Sequence, residues 1–261
     1  MDTKITSELK RIEEGNIEIT YTIPANLVLQ TKEEVVKELG KDMTIAGFRK
    51  GMAPVSKVES SVPQDKLNEH ILSHILPSAF ADSVKEEHLK PAMYPKFEAI
   101  KIGQGSDWEI KAITCELPEV NLKDYKKRFK SKTVDEAIKE LPELIALKIP
   151  QLLVDEEVNE RLSQLLARIE KLGLQLEGYL RSVGKTVEEL RNEYQKQSSD
   201  AISLELILNE IANVEKVEVS EKEIDDFIKT TGSDSSKISD EQRKMLKRVV
   251  IRRKALEKIT K

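Results

Sequence analysis

Apolar and polar residues alternate in two separate parts of the N-terminal half. In the first part, the alternating apolar positions are Ile17, Ile19, Tyr21 and Ile23. This period of two predicts a strand with one buried face, and apolar residues before Glu13 predict a second strand joined to it by a turn. Residues 97–102 and 108–112 also alternate, on either side of Gly103–Ser106, and they predict a second hairpin.

Between the two hairpins, the apolar spacing is that of helices. Pro24 predicts the start of a helix and Gly40 its end. A second helical pattern begins at Pro63 and is predicted to be interrupted at Pro77. Residues 1–115 are therefore predicted to form an α+β domain with an antiparallel sheet.

From about residue 132 the pattern is helical throughout. Four capping boxes, in which a hydroxyl and a Glu or Gln exchange hydrogen bonds with the backbone, mark helix starts. The pairs are Thr133/Glu136, Thr186/Glu189, Ser220/Glu223 and Ser239/Gln242. Another helix is predicted from Pro150 to Gly173, with an apolar seam from Val158 to Leu172 that is typical of packing along a partner helix. A Gly/Ser/Asp-rich connector is predicted at 230–239.

These patterns divide the chain into three parts. They predict an α+β domain at 1–115, a linker at 116–131 and an all-helical domain at 132–261. The full length of 261 residues fits two modest domains. Charged residues make up 34% of the chain and aromatic residues 4%, which suits an elongated, mostly helical protein better than one large core.

The net charge of −4 disfavours nucleic-acid binding by the chain as a whole. Two basic stretches, 123–132 and 243–261, are local exceptions. The single cysteine, Cys115, excludes an internal disulfide and a cysteine-based zinc site. The sequence shows neither a signal-peptide pattern nor an apolar run long enough to span a bilayer, so we expect a cytoplasmic protein without a membrane partner.

Candidate catalytic and cofactor motifs are weak. Gly178–Thr186 places five residues between its glycines, whereas a phosphate-binding P-loop needs four. His70 and His74 are spaced like zinc ligands, but no third ligand is evident. The sequence therefore predicts ATP-independent activity, no cofactor, no metal and no catalytic residue.

The loop Gly47–Gly51 combines an aromatic residue with two cations. Phe48 is followed by Arg49, which can pair with a carboxylate or phosphate through two hydrogen bonds, and by Lys50. Aromatic residues and arginine are enriched at binding hot spots. From the residues alone, a binding loop and a solvated turn with Phe48 packed on the helices remain equally open.

The same loop carries a family resemblance. Thr44–Pro54 resembles the signature loop of trigger factor, the bacterial ribosome-associated chaperone. The resemblance continues, in order along both halves, through Leu89–Pro91, Glu116–Val120, Ile149–Val158, Leu176–Leu180, Gly184–Arg191 and Val219–Ile224. Met52 and Ala53 fall where that family varies.

The resemblance implies a ribosome-binding domain followed by a helical chaperone domain with arms that form a cradle. Phe48, Arg49 and Lys50 would contact proteins and rRNA of the large ribosomal subunit at the tunnel exit, with Gly47 and Gly51 shaping the loop. The cradle would hold nascent and unfolded polypeptides, and a homodimer stays open. The family usually carries a prolyl isomerase domain where this chain has only 125–147, so no isomerase activity is expected.

Three alternatives remain at this point. The helical half could bind one folded partner instead of many clients. The basic stretch 243–261 could bind RNA, although it also complements the acidic stretch 215–226 and the helix dipole. An extracytoplasmic chaperone with a similar helical domain is disfavoured by the lack of a signal-peptide pattern.

Aliphatic residues lie on more than one face of the helix around Leu204–Ile211. They suit either weak contacts with unfolded chains or packing of this helix against its neighbours.

Overall fold

A computed structural model describes residues 3–130, 132–230 and 238–261 of the chain. It contains two compact units, Met1–Leu117 and Pro118–Lys261. Of the connector predicted at 230–239, residues 231–237 lie outside the described residues.

The first unit contains a four-stranded antiparallel sheet. Its strands are β1 (Thr6–Arg11), β2 (Asn16–Ile23), β3 (Lys96–Lys101) and β4 (Trp108–Cys115), in the order β1-β2-β4-β3. Both predicted hairpins are confirmed, and β2 pairs with β4 in the centre, with Tyr21 opposite Ile110. The register of β3 shifts between Ala99 and Lys101, and Ile100 between them is exposed.

Three helices accompany the sheet: α1 (Ala25–Asp42), α2 (Val55–Ser61) and α3 (Gln64–Glu86). The apolar residues of β2 and β4 form one core with α1 and α3, as the alternating pattern predicts. The Tyr21 hydroxyl donates a 3.1 Å hydrogen bond to the Ser83 hydroxyl of α3, so the polar end of this buried ring has a partner. The resulting α+β unit is the predicted one.

Two predicted helix breaks are wrong. Gly40 lies inside α1, which continues to Asp42, and a Cβ at Gly40 would be 3.2 Å from a methyl group of Val58. This glycine therefore allows α1 and α2 to pack closely. Pro77 lies inside α3 without ending it, because buried residues on both sides of Pro77 hold α3 in the core despite the missing backbone donor.

The second unit is helical in its described residues. Its helices are α4 (Tyr125–Phe129), α5 (Val134–Ile145), α6 (Gln151–Lys171), α7 (Leu176–Val183), α8 (Val187–Val214), α9 (Glu221–Thr230) and α10 (Asp240–Thr260). All four predicted capping boxes form their reciprocal hydrogen bonds. Gly173 follows α6 with a φ of +68°, as expected of a helix-terminating glycine.

Helix α8 contributes to two apolar clusters. One cluster joins α8 to α4, α5 and α10, and contains Ile207, Leu208 and Ile211. The other joins α8 to α6, and contains Leu206 and Val158. The aliphatic residues on more than one face of α8 are thus explained by packing on two sides, and they do not form an exposed client surface.

The predicted linker at 116–131 contains part of the helical core. Tyr125 and Phe129, one helical turn apart on α4, are buried against α5, α8 and α10. Val120 and Leu122 pack on the same cluster. The dense positive charge of this stretch suggests a solvated linker, although it contains two core aromatic residues. The second compact unit begins at Pro118, ahead of residue 132.

Candidate functional site

Residues 43–54 connect α1 to α2 through two consecutive turns. In each turn, Ile45–Phe48 and Arg49–Met52, the amide of the last residue donates to the carbonyl of the first, at 3.0 and 2.9 Å. The third residues are Gly47, with a φ of +87°, and Gly51, with a φ of +80°. A positive φ at this position is the requirement of a type II turn, which explains why both are glycine.

The two glycines differ in the space around them. A Cβ at Gly51 would lie 3.0 Å from the carbonyl oxygen of Lys41, which belongs to the end of α1. The Gly51 amide also donates a 3.3 Å hydrogen bond to the Met43 carbonyl. Nothing lies within 4 Å of a Cβ at Gly47, so only its backbone conformation requires glycine. Gly51 therefore holds the loop against the helix, while Gly47 only turns it.

The loop is fixed at both ends and exposed in its middle. Met43, Ile45 and Ala53 pack against the core of the first unit. Phe48 does not belong to that core, and 39% of its surface is exposed. The Phe48 ring is thus partly covered and partly accessible, and its role in binding stays a prediction.

Both cations of the loop are accessible. Arg49 is exposed and forms no ion pair with any described residue. The Lys50 ammonium lies 3.2 Å from a carboxylate oxygen of Asp42, but both side chains are well exposed, and such a pair contributes little stability. Arg49 and Lys50 can therefore bind an external carboxylate or phosphate without breaking a strong internal contact.

Sequence reasoning missed Met52. Its side chain is 72% exposed, in the turn that follows Phe48 and Arg49. Val55, at the start of α2, is 41% exposed. No spacing pattern marks a single methionine in a loop, so only the structure shows that the candidate site includes exposed apolar groups beyond Phe48.

A second candidate site lies around α7. Five aliphatic side chains in residues 166–187 are 40–68% exposed: Leu166, Leu172, Leu174, Val183 and Val187. Leu172 was the last position of the predicted α6 seam. Val158 and Ile169 of that seam are buried, but Leu172 follows the end of α6 and is 68% exposed. The seam prediction is therefore confirmed for α6 packing on α8 and wrong for Leu172.

The basic residues of α10 mostly contact acidic residues within the second unit. Arg243 donates to carboxylate oxygens of Glu221 and Asp225, at 2.9 and 2.7 Å. The Lys254 ammonium lies 2.7 Å from the carboxylate of Glu223. These contacts agree with the structural interpretation of the basic stretch and do not favour the RNA-binding alternative.

Glu215, at the end of α8, is a junction between the two basic stretches. Its carboxylate accepts a 2.7 Å hydrogen bond from the Tyr125 hydroxyl and lies 2.5 Å from the Lys126 ammonium and 3.2 Å from that of Lys258. Lys126 and Tyr125 lower the pKa of Glu215 from 4.5 to about 2. Burial, together with Glu215 itself, raises the pKa of Tyr125.

This junction predicts a pH dependence of stability. Because the pKa of Glu215 is lower in the folded chain, its contribution is complete above pH 4.5 and is lost as the pH falls toward about 2. We expect Glu215→Gln to lower the free energy of unfolding by about 2 kcal/mol at neutral pH. Urea unfolding of both proteins across the acid range would check this. A difference that stayed constant down to the lowest pH would contradict the assignment.

The two weak motifs of the sequence have structural roles. Gly184 ends α7 with a φ of +65°, and Thr186 caps α8, so Gly178–Thr186 is a helix connection and not a phosphate loop. His74 lies 3.4 Å from a carboxylate oxygen of Glu38, between α3 and α1.

Among the described residues, no group of three His, Cys, Asp or Glu side chains could hold a metal ion. No helix in the described ranges is long and apolar enough to cross a membrane.

The fold and the loop together define a protein with two parts: an α+β unit carrying an exposed loop of aromatic and basic residues, and a helical unit. Two family models match such a chain, "Bacterial trigger factor protein (TF)" over residues 5–165 and "Bacterial trigger factor protein (TF) C-terminus" over residues 118–261. The chain belongs to the trigger factor family.

Individual relatives agree with this assignment. The chain is 29% identical over 119 residues to trigger factor of Clostridium kluyveri, which covers 46% of this chain and 28% of that protein. It is 34% identical over 108 residues to trigger factor of Streptococcus mutans, which covers 41% and 25%, respectively. The match thus spans about a quarter of the length of these relatives.

A solved structure shares the fold. It is described as "Promiscuous Substrate Recognition in Folding and Assembly Activities of the Trigger Factor Chaperone", and it matches with a TM-score of 0.69 over 97% of this chain and 99% of that chain. The sequence identity is 13%, so this likeness concerns the fold.

Proposed function

We propose that this chain is an ATP-independent chaperone of the cytoplasm that docks on the large ribosomal subunit beside the tunnel exit. There it would hold nascent and unfolded polypeptides against its helical unit. The observation that carries the proposal is the loop of residues 43–54, which is fixed on the core at its ends and presents Phe48, Arg49 and Lys50 between two glycine turns.

The chemistry of the loop supports docking on a surface of protein and rRNA. Phe48 and Met52 offer apolar area that the core leaves uncovered. Arg49 can bind a carboxylate or a phosphate through two hydrogen bonds, and Lys50 adds a point charge. Two rigid turns hold these groups in place, which reduces the entropy lost on binding.

Co-sedimentation with purified ribosomes tests the docking proposal. The intact chain should pellet with ribosomes at low salt and less at high salt, because Arg49 and Lys50 are exposed charges that salt screens. The same experiment without ribosomes controls for aggregation. A chain that stays in the supernatant at both salt concentrations would overturn the proposal.

The exposed aliphatic residues around α7 support client binding by the helical unit. Leu172, Leu174 and Val187 are more than half exposed, within a surrounding surface of charged residues. Small, separated apolar contacts bind unfolded chains weakly and release them quickly, which suits a chaperone that uses no ATP. Such contacts do not require one folded partner.

We expect the triple change Leu172→Ser, Leu174→Ser and Val187→Ser to weaken client binding about tenfold, through the loss of about 1.4 kcal/mol of apolar contact. Light scattering of a chemically denatured enzyme, diluted into buffer with increasing chaperone, measures this. Circular dichroism should be unchanged, since all three side chains are more than half exposed.

The matched control removes three exposed apolar side chains elsewhere in the helical unit. Val134 of α5 and Met245 and Val249 of α10 are 40%, 67% and 41% exposed. Their replacement by Ser should leave suppression of aggregation nearly intact. Equal losses in both triple variants would show that client contact is not concentrated around α7.

We further propose that the chain has no prolyl isomerase activity. Residues 125–147, at the place of the family's isomerase domain, form α4 and α5, whose Phe129 and Leu141 are buried in the helical core. The two family matches overlap at residues 118–165. A proline-containing test peptide should isomerise at its uncatalysed rate in the presence of the chain, and catalysis proportional to chain concentration would contradict this.

A further inference from the structure

The structure brings the two basic stretches of the sequence together on one face of the helical unit. Residues of α4, of α10 and of the segment after α8 line this face. Six lysines form what we call the lysine surface: Lys126, Lys130, Lys216, Lys254, Lys258 and Lys261. Lys126 and Lys130 precede Lys254, Lys258 and Lys261 by more than a hundred residues in the sequence, so only the fold reveals this surface.

Two adjacent depressions form the lysine surface. The larger, of about 340 Å³, includes Val217 and Glu218 in its lining. The smaller, of about 180 Å³, includes Ile259 and Glu215. Lys258 and Lys261 line both depressions and therefore connect them. Val217 is half-buried and leaves apolar surface beside the ammonium groups, whereas Ile259 is buried in the helical core.

The charge of the lysine surface is only partly compensated. Lys126 and Lys258 share the carboxylate of Glu215, and Lys254 pairs with Glu223, so two carboxylates serve three ammonium groups. Lys130, Lys216 and Lys261 form no ion pair with any described residue. Three exposed ammonium groups are thus available to an external anion.

We propose that the lysine surface binds an acidic segment of an unfolded polypeptide, with its carboxylates on the lysines and an aliphatic side chain beside the half-buried Val217. The proposal rests on the proposed function in one respect, namely that the segment belongs to a client. Glu218 and Glu257 also line the larger depression. Separate carboxylates fit this face better than a phosphate chain does, because they can be spaced to avoid these two acidic side chains, whereas a continuous row of phosphates would be repelled by them. The only aromatic side chains that α4 contributes here, Tyr125 and Phe129, are buried and cannot stack on bases.

The probe for this surface is a short fluorescent peptide in which Glu alternates with Val and Ala, used without ribosomes. Fluorescence anisotropy should show binding that weakens with salt. The variant Lys130→Gln, Lys216→Gln and Lys261→Gln should bind it roughly tenfold more weakly, because it loses three exposed ion pairs. A peptide with Gln in place of Glu should bind the unaltered chain equally weakly.

The matched control removes three other cations of α10 that form no ion pair with any described residue: Lys244, Lys247 and Arg248. Their change to Gln should leave peptide affinity within about twofold, since only long-range charge is altered. Equal losses in both triple variants would overturn the proposal. Displacement of the peptide by single-stranded RNA at lower concentration than by unlabelled peptide would also overturn it.

Failure of this proposal can be told apart from failure of the proposed function. Ribosome co-sedimentation and suppression of aggregation are measured on the same lysine variants. If the acidic peptide does not bind while both of those activities remain, the chaperone proposal stands and the lysine surface has no such ligand. If the peptide binds normally while both activities are absent, the surface is assigned and the chaperone proposal is wrong.

Discussion

Changing Phe48, Arg49 and Lys50 to Ala together should weaken ribosome binding by at least about a hundredfold, or about 3 kcal/mol. The three side chains supply an aromatic ring, a guanidinium that can form two hydrogen bonds, and an ammonium group, all from one loop fixed by two turns. Titration of a fluorescently labelled chain with purified ribosomes measures the affinity. Because none of the three is buried, the variant should unfold at the same urea concentration as the unaltered chain.

A chemically similar control comes from α10. Met245 is 67% exposed, and its neighbours Lys244 and Lys247 form no ion pair with any described residue. Replacing these three with Ala removes one apolar and two basic side chains, as the loop variant does. We expect this control to bind ribosomes within about twofold of the unaltered chain, since it leaves every side chain of the loop in place. A larger loss in the control than in the loop variant would move the docking site to α10.

The change Phe129→Ala should lower the stability of the helical unit by about 3–5 kcal/mol, because it leaves a cavity in a packed core. Phe129 is completely buried among residues of α5, α8 and α10, although it lies in the segment that the sequence predicts to be a linker. Urea unfolding followed by far-UV circular dichroism reports mainly on the helices. Its midpoint should move to markedly lower urea.

Two controls make this result specific. Lys127→Ala, an exposed change in the same short helix, should stay within about 0.5 kcal/mol. Trp108 is the only tryptophan of the chain and is buried in the first unit, so its fluorescence follows that unit separately. A helical transition that Phe129→Ala leaves in place would show that α4 is a linker and not part of the core.

Much of the fold follows from local rules. Ile17 and Tyr21 lie on the buried face of a strand because a period of two places them there. The four capping boxes form because each hydroxyl needs only a Glu or Gln three residues further on. The sequence also identified the loop of Phe48, Arg49 and Lys50 as a candidate site, and the structure shows it exposed and fixed by two turns.

The remaining features depend on contacts between distant residues. Gly40 lies inside a helix, where its lack of a side chain leaves room for Val58, and Phe129 is buried because α8 and α10 cover it. Leu172 is exposed because its helix ends just before it, which an apolar period does not reveal. The lysine surface places residues of α4 beside residues near the end of α10, although most of the helical unit's sequence lies between them. Composition cannot predict such encounters, because each depends on which helices become neighbours.

In the proposed function, one molecule docks on the ribosome and holds the emerging chain at the same time. Photo-crosslinking on ribosomes stalled with a labelled nascent polypeptide tests this directly, with a crosslinker at exposed Met52 in the loop or at exposed Leu174 beside α7. We expect position 52 to crosslink to the large ribosomal subunit and position 174 to the nascent polypeptide. Loss of both crosslinks in the Phe48, Arg49 and Lys50 triple variant would show that the loop recruits the chain. Nascent-chain crosslinks that persist in that variant, without any ribosome crosslink from position 52, would show that client binding does not depend on docking through the loop.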